Sequence, residues 1–415
     1  MTATIAASQA ILKTKYPDGK LPKTQFTKAP FVASLTKKED FDGNNKQIAL
    51  QTENPQGSSA DFPTALGSLA QGTYKNFLLT RVQHFGVARI TGQAMKAAEK
   101  SSGALVDLWK NETDGISTTE LMNLEIYSFG AGDGVLGTIV SGTTTTVLTL
   151  ATVSDAVKFS LGMRLQAVSA TGLSPTLRAG FVVVSAIDRV LGTLTTTSGA
   201  WNAAGNIPGI LNTDSLVRMG DNALAGTSAV VTGIGQYIVG GASPATLFGL
   251  VRSGDTARLA GNLYNATTVP YSDAIIEAES LRDLQYQGAM DTVMWANPRD
   301  IAQWKKQLSG KETFPRTEMK STVAGVSFSA IEYAGNNGPI KIMTSPFLSR
   351  NTAYLLEMDS FALESIGPAP QMLNYDGPNF LRVANDDAYE VRFGFYGNIS
   401  CNKPVASIQI SNFGA

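Results

Sequence analysis

The chain has 415 residues, enough for more than one domain, and its 43% hydrophobic content supplies a sizeable core. Only 16% of residues are charged, against roughly a quarter in ordinary soluble domains, so much of the surface is expected to be covered by partners. The net charge of −1 excludes recruitment of nucleic acid by a global field.

Residues 1–45 read as extended, because Pro17, Pro22 and Pro30 interrupt any helix beyond the first dozen residues. Lysines are dense here: Lys13, Lys15, Lys20, Lys23, Lys28, Lys37 and Lys38. Two readings stand side by side: a solvated flexible arm, or an arm lying across neighbouring subunits with some lysines facing nucleic acid. The start lacks a basic region followed by a long apolar core, so a signal peptide is not expected there.

Residues 46–92 read as a two-stranded excursion. Lys46-Gln-Ile-Ala-Leu-Gln-Thr alternates in the manner of a strand, Asn54-Pro-Gln-Gly-Ser-Ser is a turn-rich tip, and the run from Tyr74 to Thr91 returns as one long strand. One or two helical turns fit Asp61–Ala70. A hairpin is marginal alone in water, so one this long with so little core of its own suggests packing onto another chain.

Helical signals run from Gln93 to Tyr127. Leu105, Leu108, Trp109, Ile116, Leu121, Leu124 and Tyr127 recur near helical period, with Asp107, Lys110, Asn111 and Asn123 on other faces. Residues 103–129 would span about 40 Å at ~1.5 Å per residue. Ser117 and Glu120 have capping-box spacing after Asp114-Gly115. The favoured reading is one helix through a tolerated Gly115, at ~1 kcal/mol relative to alanine. Gly130, Gly132 and Gly134 then stop it.

Helical period vanishes over 135–218. Short β-branched runs at 143–150, 157–159, 163–168, 181–189 and 191–197 are punctuated by Gly, Ser, Asn and Asp, which predicts an all-β barrel or sandwich inserted into the chain. Such a domain could bind sugars or decorate an assembly; a passive insertion that adds interface is the plainer reading. Residues 219–270 are glycine-rich and irregular. An amphipathic helix is expected over 272–289, with Ile275, Ile276, Leu281 and Leu284 inward and Ser272 or Asp273 as N-cap. Val293–Ala296 reads as a buried strand, and Asn297-Pro298 opens a helix with Ile301, Trp304 and Leu308 inward. Strands are expected at 326–333, 339–344, 352–365, 378–385, 388–400 and 404–411, with Asn336-Asn337-Gly338 as a hairpin turn.

Chemistry-bearing patterns are sparse. With one cysteine, Cys401, and one histidine, His84, an intramolecular disulfide is impossible and a His/Cys metal site within the chain is not expected. Both sit in strand-like runs and read as structural. There is no Gly-x-Ser-x-Gly elbow. The Gly130–Gly134 run follows a helix rather than a strand, so it reads as a helix stop and hinge instead of a phosphate cradle. Asp386-Asp387 reads as a turn or an intersubunit ion-pair site. Asn111-Glu-Thr and Asn265-Ala-Thr match a glycosylation triplet that carries no weight without secretion. No catalytic, cofactor-binding or metal-binding residue is therefore named, no cofactor is expected, and no enzyme activity is assigned. No run reaches 18 consecutive apolar residues, so a membrane partner is not expected.

The ordered set of elements resembles the major capsid protein of tailed bacteriophages with the Hong Kong 97-type fold. The resemblance rests on the basic arm, the long loop, Phe129-Gly-Ala-Gly-Asp-Gly closing the spine helix, Leu247-Phe-Gly-Leu-Val-Arg-Ser, Asn297-Pro-Arg-Asp, Gly367-Pro-Ala-Pro, Tyr375-Asp-Gly-Pro, the run Ala388–Ser400, and Lys403-Pro. It implies an α+β fold with an N-terminal arm (1–45), an extended loop (46–92), a peripheral domain with the spine helix (93–134 and 345–415), a β-insertion (135–218) that departs from the minimal fold, and an axial domain (219–344). Arm and loop would clasp neighbours. The implied function is a shell protein forming homopentamers and homohexamers of an icosahedral virion capsid, assembled in the host cytoplasm around double-stranded DNA read without sequence specificity. A portal, a separate scaffolding protein and a decoration protein are implied partners. An encapsulin-like nanocompartment is the alternative on the same fold, and a carbohydrate-binding adhesin using 135–218 is another. Some relatives crosslink a loop lysine to a distant asparagine; with only Lys46 and Lys75 near the loop's base and no lysine at its tip, such crosslinking is not expected here.

Overall fold

The computed structural model describes residues 2–3, 28–94, 96, 108–169, 171–224, 226–241, 245–286, 288, 291–308, 316–319, 328–375, 377, 380–384 and 386–414. Two mixed sheets, a closed barrel and a long helix account for most of them.

The spine helix runs from Leu108 to Ser128 without a break at Gly115. Within it Thr118 Oγ1 and Thr119 Oγ1 donate back to the carbonyls of Asp114 (2.7 Å) and Gly115 (3.0 Å), so these hydroxyls are satisfied inside the helix and do not compete to open it at the glycine. The stretch expected from Gly103, Leu105 included, lies outside the described residues, as do the side chains of Leu108 and Trp109. The last turns are buried all round, so Asn123, expected on an outer face, is only 2% exposed. It is retained inside because the Arg218 guanidinium donates to its Oδ1 at 2.7 Å.

That helix lies on a sheet ordered Thr2–Ala3, Val82–Thr91, Ala388–Cys401, Phe361–Ser365, Thr36–Lys38, with Gln371–Met372 and Leu381–Arg382 also paired to the long strand Ala388–Cys401. Contact is close at Gly86, where a Cβ would stand 2.6 Å from Glu120 Oε1. The second sheet runs Asn262–Asn265, Ile408–Ser411, Thr352–Glu357, Thr292–Ala296, Pro339–Thr344, Phe328–Ala334, Arg316–Met319. The helices Tyr271–Gln285 and Pro298–Leu308 belong to its unit, sharing a separate core in which Ile275, Trp304, Met294, Leu355 and Ile410 are buried together.

Residues 135–218 contain a closed barrel of Thr193–Thr196, Val147–Leu150, Val135–Ser141, Ser215–Arg218, Arg164–Val168 and Val182–Asp188. Inward positions such as Leu148, Leu150, Leu165, Val182, Val184 and Leu194 alternate with more exposed neighbours, and Trp201 and Phe159 are fully buried. Chain entry and exit are pinned together: Gly134 has φ +75°, and a Cβ there would lie 2.0 Å from the Asp221 carbonyl oxygen.

Several expectations are corrected. The run 74–91 is two strands, Thr73–Thr80 and Val82–Thr91, because Arg81 bonds Asn44 and the chain changes sheets there. Likewise 352–365 splits at a 3-10 turn, Met358–Ser360, into strands of different sheets. The expected division at 345 therefore does not follow the sheets, since Thr352–Glu357 and Ile408–Ser411 sit beside Thr292–Ala296 or one another. Residues 157–159 lie at the end of and beyond a 3-10 helix, Val153–Lys158, closed by an Asp155–Lys158 ion pair of 2.8 Å. Strand 143–150 shrinks to Val147–Leu150 behind a turn, and 404–411 opens with a 3-10 turn at Pro404–Ala406. Of 378–385, residues 380–384 are described, and among these Leu381–Arg382 is strand.

The helix expected at 272–289 is Tyr271–Gln285, capped at Pro270 with no side-chain bond. Its buried face is Tyr271, Ala274, Ile275, Ala278, Glu279 and Arg282, leaving Ile276 44% and Leu284 79% exposed. The small alanines allow close approach to the sheet, and the buried Arg282 is held by Asp283 at 2.8 Å and Thr292 at 2.6 Å. Residues 219–270, read as irregular, include the short helices Ile234–Tyr237 and Thr256–Ala260. In the arm, Pro30–Ser34 is helical; the extended reading of 4–27 lies outside the described residues.

Candidate assembly surfaces

The hairpin Asn45–Glu53/Thr73–Thr80 carries the first surface. Its tip is built locally: Asp61 caps the helix Phe62–Gly67, its carboxylate accepting from Thr64 N (3.1 Å) and Thr64 Oγ1 (2.8 Å), with proline in the first turn. No residue of that helix is buried, and Phe62, Leu66 and Leu69 are 78%, 59% and 69% exposed. Three large apolar side chains presented from one short segment are left without cover among the described residues.

The base of the hairpin is held firmly. Lys46 Nζ donates to Asp40 Oδ1 and to the fully buried Glu364 Oε2, both at 2.6 Å. Arg258 bonds the Thr52 carbonyl and the Glu53 carboxylate, and Phe77 packs edge-on against Tyr237 at 5.9 Å. The tip is therefore presented on a fixed stem.

A second surface lies on the sheet face turned away from the spine helix. Along Val82–Thr91, His84 and Gly86 face the helix, so the alternate residues Phe85 and Val87 face outward, 48% and 52% exposed. With Leu373, Tyr375, Leu381, Arg392 and Tyr396 they line a cleft of about 310 Å³. The Phe85 and Tyr396 rings meet edge-on at 5.7 Å, and Arg392 and Arg89 both bind Glu390 at the neighbouring strand positions.

Beneath these surfaces lies buried charge. His84 is 8% exposed; its Nδ1 is 2.6 Å from Glu120 Oε2 and its Nε2 is 3.3 Å from Asp221 Oδ2. Two carboxylates flanking one ring require both nitrogens to donate, so the imidazolium is the bound form. Burial pulls its pKa down, but Asp221 and Glu120 outweigh that and hold it up at about 9. Tyr127 donates to the same Asp221 carboxylate, and Arg218 lies 3.8 Å away. The cluster ties the strand, the spine helix and the barrel exit together.

No protein-family model matches the chain, and no curated protein matches it. Among solved structures, its fold matches the capsid asymmetric unit of cyanophage A-1(L), with 11% identity, 96% of each chain covered and a TM-score of 0.51. The fold is the Hong Kong 97-type capsid fold. Weaker likenesses include the holo-SrpI encapsulin complex from Synechococcus elongatus, with 9% identity, covering 99% of this chain and 96% of that one at a TM-score of 0.48. The capsid of Myoviridae phage XM1 follows with 5% identity, 96% of each chain and a TM-score of 0.45.

Within this capsid fold, the residues singled out from sequence are dispersed. His84 pairs across the ladder with Phe395, six positions from Cys401, which places them roughly 20 Å apart at ~3.3 Å per residue. Cys401 is fully buried, and burial pushes its thiol up to about 12. Gly132 and Gly134 have φ of +78° and +75° at the barrel entry, while the Asp133 carboxylate accepts from Val135 N and Gly172 N. Asp387 forms a turn, its carbonyl accepting from Gly92 N at 2.8 Å. Lys46 is tied into the stem, and Lys75 is exposed on the hairpin strand. Among the described residues no group of three or more His, Cys, Asp and Glu could hold a metal, and no helix is long and apolar enough to cross a membrane. Sequence reasoning missed the buried carboxylates Glu120 and Glu125. A signal was present for the second: Glu125 is a lone charge inside Leu124-Glu-Ile-Tyr-Ser-Phe.

Proposed function

We propose that this chain is a shell subunit that assembles with copies of itself into pentamers and hexamers of an icosahedral capsid enclosing double-stranded DNA. The observation that carries the reading is the fixed stem with an unpartnered apolar tip, on a capsid fold that also carries an outward apolar cleft. A convex and a concave surface on one chain suit heterologous contacts, which close into rings when the rotation permits. In this reading the arm and hairpin clasp neighbours, the sheet around Ala388–Cys401 with the spine helix is the peripheral domain, the sheet around Thr292–Ala296 is the axial domain, and the barrel is an insertion. The subunit would be located in the virion capsid and assembled in the host cytoplasm, with a portal, a scaffolding protein and a decoration protein as partners and no intrinsic catalysis.

Electron microscopy and sedimentation of the expressed chain test this. Shells or capsomers are expected, with nucleic acid inside particles from infected cells. A strictly monomeric chain at high concentration, with and without co-expressed phage assembly proteins, would overturn the reading; shells loaded with enzyme instead of nucleic acid would assign a nanocompartment.

A further inference from the structure

Glu125 lies in the last turns of the spine helix and is fully buried. Its two oxygens accept from three neutral donors. Phe31 N donates to Oε1 at 3.2 Å, Val32 N to Oε2 at 2.9 Å, and Ser345 Oγ to Oε1 at 3.1 Å. Phe31 and Val32 belong to the arm helix Pro30–Ser34, and Ser345 follows the strand Pro339–Thr344 of the second sheet. One carboxylate thus joins the arm, the spine and the second sheet.

Among the described residues none supplies a counter-charge for it. From the arm, the nearest charged side chains in sequence, Lys28, Lys37 and Lys38, are exposed, and Lys38 pairs with Glu364 instead. On the spine, Glu120 is engaged with His84. From the second sheet come the Ser345 hydroxyl and the Trp295 ring, which packs on Phe31 at 5.3 Å. Among the described residues no ion pair includes Glu125, and no charged side chain contributes to its proton affinity.

We infer that docking of the arm segment 28–38 onto the spine is proton-coupled, with Glu125 as the group that takes up the proton. An anion there keeps three hydrogen bonds but bears the full cost of an unpaired buried charge. Burial prevails over the donors and pushes the carboxyl from 4.5 up to about 7. The sign follows. A group with raised affinity in the docked state favours docking fully below about 4.5, and this contribution is lost as pH rises to about 7, above which docking no longer varies. The arm would hold tightly in mild acid and be freed near neutrality.

Hydrogen–deuterium exchange of peptides covering 28–41, in the full-length chain and in Glu125→Gln at matched pH, tests this, because the ratio of the two cancels the intrinsic pH dependence of exchange. The ratio of wild-type to variant protection should fall by roughly tenfold per pH unit from about 5 to about 7, as one released proton requires, and be level above. Parallel profiles, or wild-type protection rising relative to the variant, would overturn the inference. If the glutamine leaves the segment unprotected throughout, Ser345→Ala decides. Removing a donor that favours the anion should move the wild-type midpoint to higher pH, and an unmoved midpoint would overturn the inference equally.

Discussion

Replacing His84 by glutamine removes the cation that bridges Glu120 and Asp221. The size of the effect follows from the imidazole itself. Its rise from 6.5 to about 9 corresponds to roughly 3 kcal/mol at about 1.36 kcal/mol per pH unit. Because the folded state binds the proton more tightly, that stability is fully present below pH 6.5 and is lost as pH rises through about 9. Glutamine also leaves the buried Glu120 without its charged partner, while Asp221 keeps Arg218 at 3.8 Å; stripping a buried charge of its partner typically costs ~3–5 kcal/mol. Urea unfolding of the unassembled subunit should be followed at pH 6, 7.5 and 9.5. Wild type should lose about 3 kcal/mol relative to the variant across that range, so that the two converge at alkaline pH. Equal differences at all three values would show that the imidazole is neutral when folded and that the proton assignment to both ring nitrogens is mistaken.

Three further outcomes are expected. Phe62→Ser combined with Leu66→Ser and Leu69→Ser should leave subunit stability within ~0.5 kcal/mol, since these side chains are exposed, yet abolish particles on a sedimentation gradient; normal particle yield would remove the tip from the assembly interface. Gly134→Ala should destabilise the subunit by at least ~1–3 kcal/mol in urea, because φ is +75° and the added Cβ meets the Asp221 carbonyl oxygen at 2.0 Å. Cys401 should fail to react with a thiol-specific disulfide reagent at pH 8 until the chain unfolds, being fully buried with its thiol held at about 12; rapid labelling of the folded subunit would contradict its placement.

Periodicity carried the long-range layout well where one face of an element meets one core. The spine helix through Gly115, the buried strand Thr292–Ala296 and the helix opening at Pro298 were legible for that reason. It failed where the chain changes partners without changing period. Nothing in the run Thr73–Thr91 marks Arg81 as the point of transfer between sheets, because β-branched and aromatic residues continue on both sides. On Tyr271–Gln285 the buried stripe includes Ala274, Ala278, Glu279 and Arg282, so a search for large aliphatics selected the exposed Ile276 and Leu284. Glu125 stood out as a lone charge in an apolar run, but the carboxylate pair around His84 was unreadable for a related cause. Glu120 and Asp221 lie 101 residues apart and meet only through His84, a fact of tertiary packing that local spacing does not record.

The sheet change at Arg81 has a mechanical meaning. The returning strand of the hairpin continues through one residue into Val82–Thr91, which is registered against Ala388–Cys401 at ten consecutive positions from Ala388↔Thr91 to Gly397↔Val82. Tension from a load on the tip passes along the backbone into that ladder. When it is directed along the strand, it strains the rungs in parallel, in shear, rather than opening them one at a time like a zip. A projecting loop anchored in this way can bear a sustained pull without peeling away from the body that carries it.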